Sequence, residues 1–121
     1  MKAKLFFSIA LIILIFTAVG NFSAQQPAEM YSVTIHVSGN GSGEVVSSPP
    51  GISCGPNFND CSQSFERGTP VSLRPRALHG DSEFRGWSVT VGSTQPCAAS
   101  SHDCNFIVME DSAAQAQFVI R

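Results

Sequence analysis

Apolar and polar residues alternate along several short segments of this chain. Residues 31–37 read YSVTIHV, with an apolar or aromatic residue at every second position. A period of two is typical of a β-strand that buries one face. Alternating or β-prone runs recur in residues 44–48, 62–65, 71–77, 84–89, 105–109 and 114–120. In the last of these, Ala116, Phe118 and Ile120 are predicted to share one face.

Turns rich in glycine and proline separate these runs. Residues 38–43 read SGNGSG and supply the positive-φ positions of a tight hairpin. Pro49 and Pro50 end the second run, because proline donates no hydrogen bond to a neighbouring strand. Pro75 predicts that its strand is an edge strand or ends there. Since no long stretch has apolar residues at helical spacing, the pattern predicts an all-β or β-rich domain of six or seven short strands.

The start of the chain has a different composition. Two lysines precede a run of about fifteen apolar residues, and small and polar residues follow from Gly20. This layout predicts a secretory signal peptide in residues 1–24, with cleavage after Gly20 or after Ala24. The apolar run is shorter than the roughly twenty residues of a membrane-spanning helix, so an uncleaved anchor is the less favoured alternative. Residues 25–30 are predicted to form a short linker.

Residues 31–121 are long enough for a single domain. Once the signal is removed, five arginines stand against nine acidic residues, a formal charge of −4. Nucleic acid demands a basic patch that neutralises phosphates, so this composition argues against a nucleic-acid partner. It argues equally against adhesion to an anionic membrane surface. No residue pattern points to a cofactor, and none assigns an oligomeric state.

All four cysteines, Cys54, Cys61, Cys97 and Cys104, follow the predicted signal peptide. An even number of cysteines in a small exported domain predicts two disulfides. The segments CGPNFNDC and CAASSHDC both have eight residues and both end in Asp-Cys, which favours one bond within each segment. Four cysteines allow three connectivities, so bonds between the segments stay open as an alternative. In the chain-entropy model each local bond contributes roughly 2 to 3 kcal/mol.

Ser100, His102 and Asp103 lie together in the second of these segments. A catalytic triad needs a histidine that bridges its partners in space, and the chain has no G-x-S-x-G elbow, so a polar loop is expected instead. His79, in the sequence HGDS, is interpreted as part of a turn. A zinc site is not expected, because six residues separate the cysteines of each pair. The sequence thus predicts no catalytic residue and no metal ligand.

Two aromatic positions have contrasting surroundings. Trp87 follows Phe84 and Gly86 in the segment FRGW and is interpreted as a core residue, with sugar stacking as the alternative. Phe58 lies between two asparagines in the first cysteine segment. If its ring is exposed there, Phe58 is the candidate tip of an interaction surface.

A series of short motifs follows a fixed order through residues 31–120. They are Gly39, Gly41 and Gly43, residues 47–54 (SSPPGISC), residues 60–62 (DCS), Phe65, residues 68–73 (GTPVSL), Phe84, residues 86–88 (GWS), Cys97, Cys104, Met109 and Phe118. The ordered set resembles a single copy of the divergent InlB B-repeat family of bacterial cell-surface and secreted proteins. The chain departs from the family pattern in reading GWSV for GWSG, and in the loop segment RPRALHGDS.

The resemblance implies a β-grasp-like or small β-rich module that serves as a spacer or as a protein or glycan interaction unit, not as a catalyst. The partner, an extracellular protein or glycan, is expected in trans, in the periplasm, at the cell surface or in the medium. One alternative is a small disulfide-stabilised inhibitor or effector that acts on an extracellular protein. A third is a small secreted hydrolase, which clustering of His79 or His102 with a distant acid would favour.

Overall fold

The computed structural model describes residues 27–121, so the predicted signal peptide lies outside the described residues. This part of the chain forms β1 (Met30–Ser38), β2 (Gly43–Ser48), β3 (Ser53–Gly55), β4 (Phe58–Asp60), β5 (Ser62–Glu66), β6 (Pro70–Ala77), β7 (Ser82–Val91), β8 (Cys104–Ile107) and β9 (Ser112–Ile120). A 3₁₀ helix, Gly92–Ala99, connects β7 to β8. Within residues 27–121, no helix has the length and apolar character to cross a membrane.

The strands form two sheets. The first sheet has the order β5-β1-β9-β7, and the second has the order β4-β3-β2-β6-β8. Neighbouring strands are antiparallel except β1 and β9, which run parallel. The all-β class predicted from the sequence is therefore confirmed. The only helical element in residues 27–121 is one 3₁₀ segment, so this part of the chain is a small β-rich domain.

The structure has nine strands where the sequence predicted six or seven. The two additional strands, β3 and β4, lie within residues 53–60, at the first cysteine segment. The alternation pattern predicts no strand there. Each of these two strands has three residues. A strand of this length is too short to show an alternation, so its pairing with a neighbour is what defines it.

Buried side chains from both sheets form one core. On β1, Val33 and Ile35 are buried whereas Thr34 and His36 are exposed, so the alternation predicted there is confirmed. The alternation predicted for β9 is also present, with Ala116 and Phe118 fully buried. Ile120 is 50% exposed because it pairs with Ser82 at the end of the sheet.

Pro75 lies at a place where β6 has one neighbour instead of two. β6 pairs with β2 from Ser72 to Ala77, and Val45 is opposite Pro75. On the other side β8 pairs with β6 as far as Leu73 and then ends. The missing amide hydrogen of Pro75 therefore leaves no gap in a ladder. The predicted edge is real, but it is confined to one end of an otherwise central strand.

The tight hairpin predicted at residues 38–43 is wrong, because β1 and β2 lie in different sheets and do not pair. This glycine-rich segment instead crosses from the first sheet to the second and packs against β9. A Cβ atom at Gly43 would overlap the ring of Phe118, so a side chain at this position would displace a fully buried aromatic residue. The turn after β2 is fixed by Ser47, whose hydroxyl donates to the Pro49 carbonyl at 2.8 Å and accepts from the Ile52 amide at 2.9 Å. Local hydrogen bonds of this kind are characteristic of serine in turns.

The predicted linker at residues 25–30 is tied to the domain at its far end. Met30 already belongs to β1, and the Glu29 carbonyl accepts a hydrogen bond from the Arg67 amide at 2.8 Å. The Tyr31 hydroxyl donates to the Glu29 carboxylate at 2.8 Å. This hydrogen bond to a carboxylate raises the pKa of Tyr31 above its ordinary value.

Candidate interaction surface

Both disulfides close within their own segments. Cys54 is bonded to Cys61 and Cys97 to Cys104, with Cα–Cα distances of 4.7 and 5.1 Å. These distances are ordinary for disulfides. The pairing favoured from the sequence is confirmed, and residues 27–121 contain no free cysteine. Residues 54–61 are called the first loop below, and residues 97–104 the second loop.

The first loop is a small hairpin held at three places. Cys54 pairs with Asn59 and Gly55 with Phe58 across β3 and β4. β3 in turn pairs with β2, and the Cys61 carbonyl accepts a hydrogen bond from the Ile35 amide at 2.7 Å. The disulfide, the strand pairing and the bond to β1 together fix the position of the loop on the domain.

Phe58 lies at the outer end of this hairpin and is 55% exposed. Residues 56–60 are all exposed, and β4 is an edge of the second sheet. A cleft of about 600 Å³ lies beside the hairpin and is lined by Ile35, Gly43 and Pro56 among others. The Phe58 ring is therefore exposed, as its interpretation as the tip of an interaction surface requires.

The second loop is built into the core. Cys97 and Cys104 are at most 2% exposed. Trp87 is 7% exposed, and its indole nitrogen donates to the His102 carbonyl at 3.0 Å. The Phe84 ring contacts Trp87 edge-on, with 5.3 Å between ring centroids. This loop is thus held by a buried disulfide and by a hydrogen bond from a buried aromatic residue.

Gly86 lies at an irregularity in β7, where the register against β9 shifts between Phe84 and Gly86. Its φ of +127° is one that residues with side chains rarely adopt. Space around the position is ample, since a Cβ atom there would meet nothing within 4 Å. The positive φ of the backbone, and not a lack of space, therefore explains the glycine at position 86.

The histidine of the second loop pairs with its neighbour. His102 Nδ1 lies 2.6 Å from an Asp103 carboxylate oxygen. This contact was not predicted from the sequence. The Ser100 hydroxyl donates to the Asp103 carbonyl and so is engaged with the backbone. The His79 carbonyl accepts from the Ser82 amide at 3.0 Å, which closes a turn. Among residues 27–121, no group of three or more potential ligands is placed to hold a metal ion.

A second cleft, of about 540 Å³, was not anticipated from the sequence. Its lining includes Arg74, Pro75, Arg76, Glu83, Phe84, His102, Asp103 and Arg121. It is called the arginine cleft below. The sequence carries a partial signal for it in the segment RPR, which places two arginines two residues apart on one face of β6. Their meeting with Arg121 depends on how the two sheets pack.

Comparison of the chain with protein-family models, with curated proteins and with solved structures finds no match. The resemblance to the divergent InlB B-repeat family therefore stays a prediction. What the chain does is inferred below from the geometry of the two loops and the arginine cleft.

Proposed function

We propose that this protein is a non-catalytic exported module that binds an extracellular partner through its first loop, and that it is a single copy of the divergent InlB B-repeat family. The observation that carries the proposal is the exposed ring of Phe58 on a hairpin fixed by a disulfide. Two disulfides and no free cysteine in residues 27–121 support an oxidising compartment.

An exposed aromatic residue on a fixed loop suits molecular recognition. Large aromatic side chains supply much of the binding free energy at protein interfaces. A loop that is already in its bound conformation loses little conformational entropy when the partner docks. The first loop has both properties, since Phe58 is exposed while the disulfide and the Ile35 amide fix the backbone around it.

Export is tested by the intact mass of the protein purified from outside the cytoplasm. We expect a chain that begins at Asn21 or Gln25, is four hydrogens lighter than the reduced form, and does not react with an alkylating reagent before reduction. A full-length chain, or one with alkylatable thiols, would contradict export with oxidation.

The binding role of Phe58 is tested by comparing two variants with equally exposed positions. Phe58 and Ile107 are both 55% exposed, and Ile107 lies outside both loops. We expect Phe58→Ala to reduce capture of the labelled oxidised protein by intact cells or purified envelope at least tenfold. Ile107→Ala serves as the control and should bind normally. Equal binding by the two variants would remove the first loop as the contact.

The same fixed loop also fits the inhibitor or effector alternative, because a rigid exposed loop is suited to enter the site of a target enzyme. A panel of secreted proteases incubated with excess protein separates the two functions. Loss of protease activity that depends on Phe58 would favour inhibition. The hydrolase alternative has less support, since the acid beside His102 is its sequence neighbour and Ser100 bonds to the backbone.

A further inference from the structure

The arginine cleft lies at the seam between the two sheets. It opens where β8 ends and Pro75 leaves the edge of β6 without a neighbour. Glu83 and Phe84 of β7 and Asp103 of the second loop also line it. Its volume of about 540 Å³ falls in the range of small-ligand sites. The first loop contributes no residue to its lining.

Each arginine of the cleft is paired with a carboxylate. Arg74 lies 3.4 Å from Asp103, and Arg121 lies 3.7 Å from Glu83. Arg76 forms a close ion pair with Glu44, whose side chain is 4% exposed. The three guanidinium groups are nevertheless accessible, with 65 to 69% of each arginine side chain exposed. The cleft therefore offers accessible donors that each lie beside a carboxylate, with Glu83 shared between Arg121 and Arg85.

This pairing decides which ligand the cleft suits. A phosphate, sulfate or carboxylate is best held by arginines whose charge has no other partner. A paired guanidinium and carboxylate instead present hydrogen-bond donors beside acceptors. A hydroxyl group both donates and accepts, so neighbouring hydroxyls of a sugar match such a pair, whereas an anion would have to compete with Glu83 and Asp103 for the guanidinium groups.

The cleft also has an apolar side. The half-buried Phe84 ring lines it, and the His102 ring meets Phe84 edge-on with 6.3 Å between centroids. Aromatic carbon surface next to polar groups at the rim suits a ring that has one apolar C–H face and hydroxyls at its edge. A neutral sugar is a ligand of this kind.

We propose that the arginine cleft is a binding site for a neutral carbohydrate, held by the Arg74–Asp103 and Arg121–Glu83 pairs and in contact with Phe84. The proposal goes beyond the binding function proposed above, because it concerns a second site to which the first loop contributes no residue. Variants at Phe58 and variants in the cleft therefore test the two proposals separately.

The experiment uses the oxidised full domain and an array of neutral oligosaccharides of glucose, galactose, mannose and N-acetylglucosamine, with sulfated and uronic saccharides and inorganic sulfate as anionic probes. The strongest binder is then titrated in solution. Trp87 is the sole tryptophan of the chain and touches Phe84, so its fluorescence reports occupancy of the cleft. We expect saturable binding, and we expect Arg74→Gln and Arg121→Gln each to weaken it about tenfold.

Both substitutions leave the acids with partners, so neither variant should misfold. Asp103 keeps its contact with His102, and Glu83 keeps Arg85 at 3.2 Å. Arg67→Gln is the matched control, because Arg67 pairs with Glu29 outside the cleft. Phe58→Ala is a second control and should bind the sugar normally.

Three results would overturn the carbohydrate site. The first is the absence of binding to any neutral oligosaccharide on the array. The second is binding restricted to sulfated or uronic saccharides and inorganic sulfate, which would make the cleft an anion site. The third is sugar binding that Arg74→Gln and Arg121→Gln leave unchanged. Loss of partner capture in Phe58→Ala with normal sugar binding would support both proposals.

Discussion

The two disulfide loops have the same length and the same Asp-Cys ending, yet the domain uses them differently. The first loop is a hairpin at the edge of a sheet, and its aromatic residue is 55% exposed. The second loop begins in the last residues of a 3₁₀ helix, and the aromatic residue that holds it, Trp87, is 7% exposed. The first arrangement displays a ring to solvent, whereas the second fastens a loop to the core.

Two disulfides that close loops of equal length restrict the unfolded chain equally. Their effects on the stability of the folded chain differ, because their surroundings differ. Burial adds a larger packing contribution for the second disulfide, because both of its cysteines are buried, whereas in the first Cys54 is buried and Cys61 is only partly buried. The contribution of each disulfide to the free energy of unfolding can therefore be measured separately.

The largest effect is expected from removing the second disulfide. Loop closure alone gives about 2.5 kcal/mol for each bond, and the cavity left at the buried pair adds about 1 to 2 kcal/mol. Replacing Cys97 and Cys104 by alanine should lower the free energy of unfolding by about 4 kcal/mol. Replacing Cys54 and Cys61, of which only Cys54 is fully buried, should lower it by about 3 kcal/mol. Urea unfolding of both double variants checks the order.

Equal losses of unfolding free energy in the two double variants would show that packing adds no difference between the two bonds, and the loops would then differ in exposure alone. A larger loss for the Cys54 and Cys61 variant would reverse the expected order.

The next effect concerns the residue that holds the second loop. Trp87→Phe removes the indole donor to the His102 carbonyl while keeping an aromatic ring in the core. We expect the free energy of unfolding to fall by about 2 kcal/mol, from lost packing and an unsatisfied carbonyl. Phe58→Ala should change it by less than about 0.5 kcal/mol, since the ring is exposed. Thermal unfolding followed by far-ultraviolet circular dichroism measures both.

A smaller effect is expected beneath the first loop. Glu44 is buried, pairs with Arg76 and lies under Gly55, where an added Cβ atom would be 2.7 Å from the Glu44 Cβ. Arg76→Gln leaves this buried carboxylate without its cation and should destabilise the domain by about 1 to 2 kcal/mol. Arg85→Gln, at an exposed pair, should cost less than about 0.5 kcal/mol. Equal losses would show that Glu44 gains nothing from Arg76.

The smallest effect lies outside both loops and serves as their reference. The hydrogen bond from Tyr31 to Glu29 raises the pKa of Tyr31 above 10.0. A raised folded-state pKa means that the contribution is complete below about pH 10 and is lost as the pH rises through the folded value. Tyr31 is the sole tyrosine, so absorbance at high pH follows it alone. Glu29→Gln should lower its midpoint towards 10.0 and leave both loops unchanged.

Sequence patterns predicted the strands better than the arrangement of the strands. Alternation identified β1, β6 and β9, because burial of one face leaves a period of two in the sequence. Pairing of β1 with β9 leaves no such trace, since it joins residues 79 apart, as at Val33 and Ser112. The cysteine pairing was predictable because the segments are local and alike. The arginine cleft was not, because Arg74 and Arg121 meet through the packing of two sheets.

The parallel pairing of β1 and β9 has a consequence for how the chain folds. β1 lies between β5 and β9, so the first sheet stays incomplete until the final strand is present. Contacts between distant parts of a chain form slowly, because a long loop must close before they are gained. A chain emerging from the ribosome cannot complete this sheet until residues 112–120 have been synthesised. Assembly of the first sheet is therefore a late event that waits for residues 112–120.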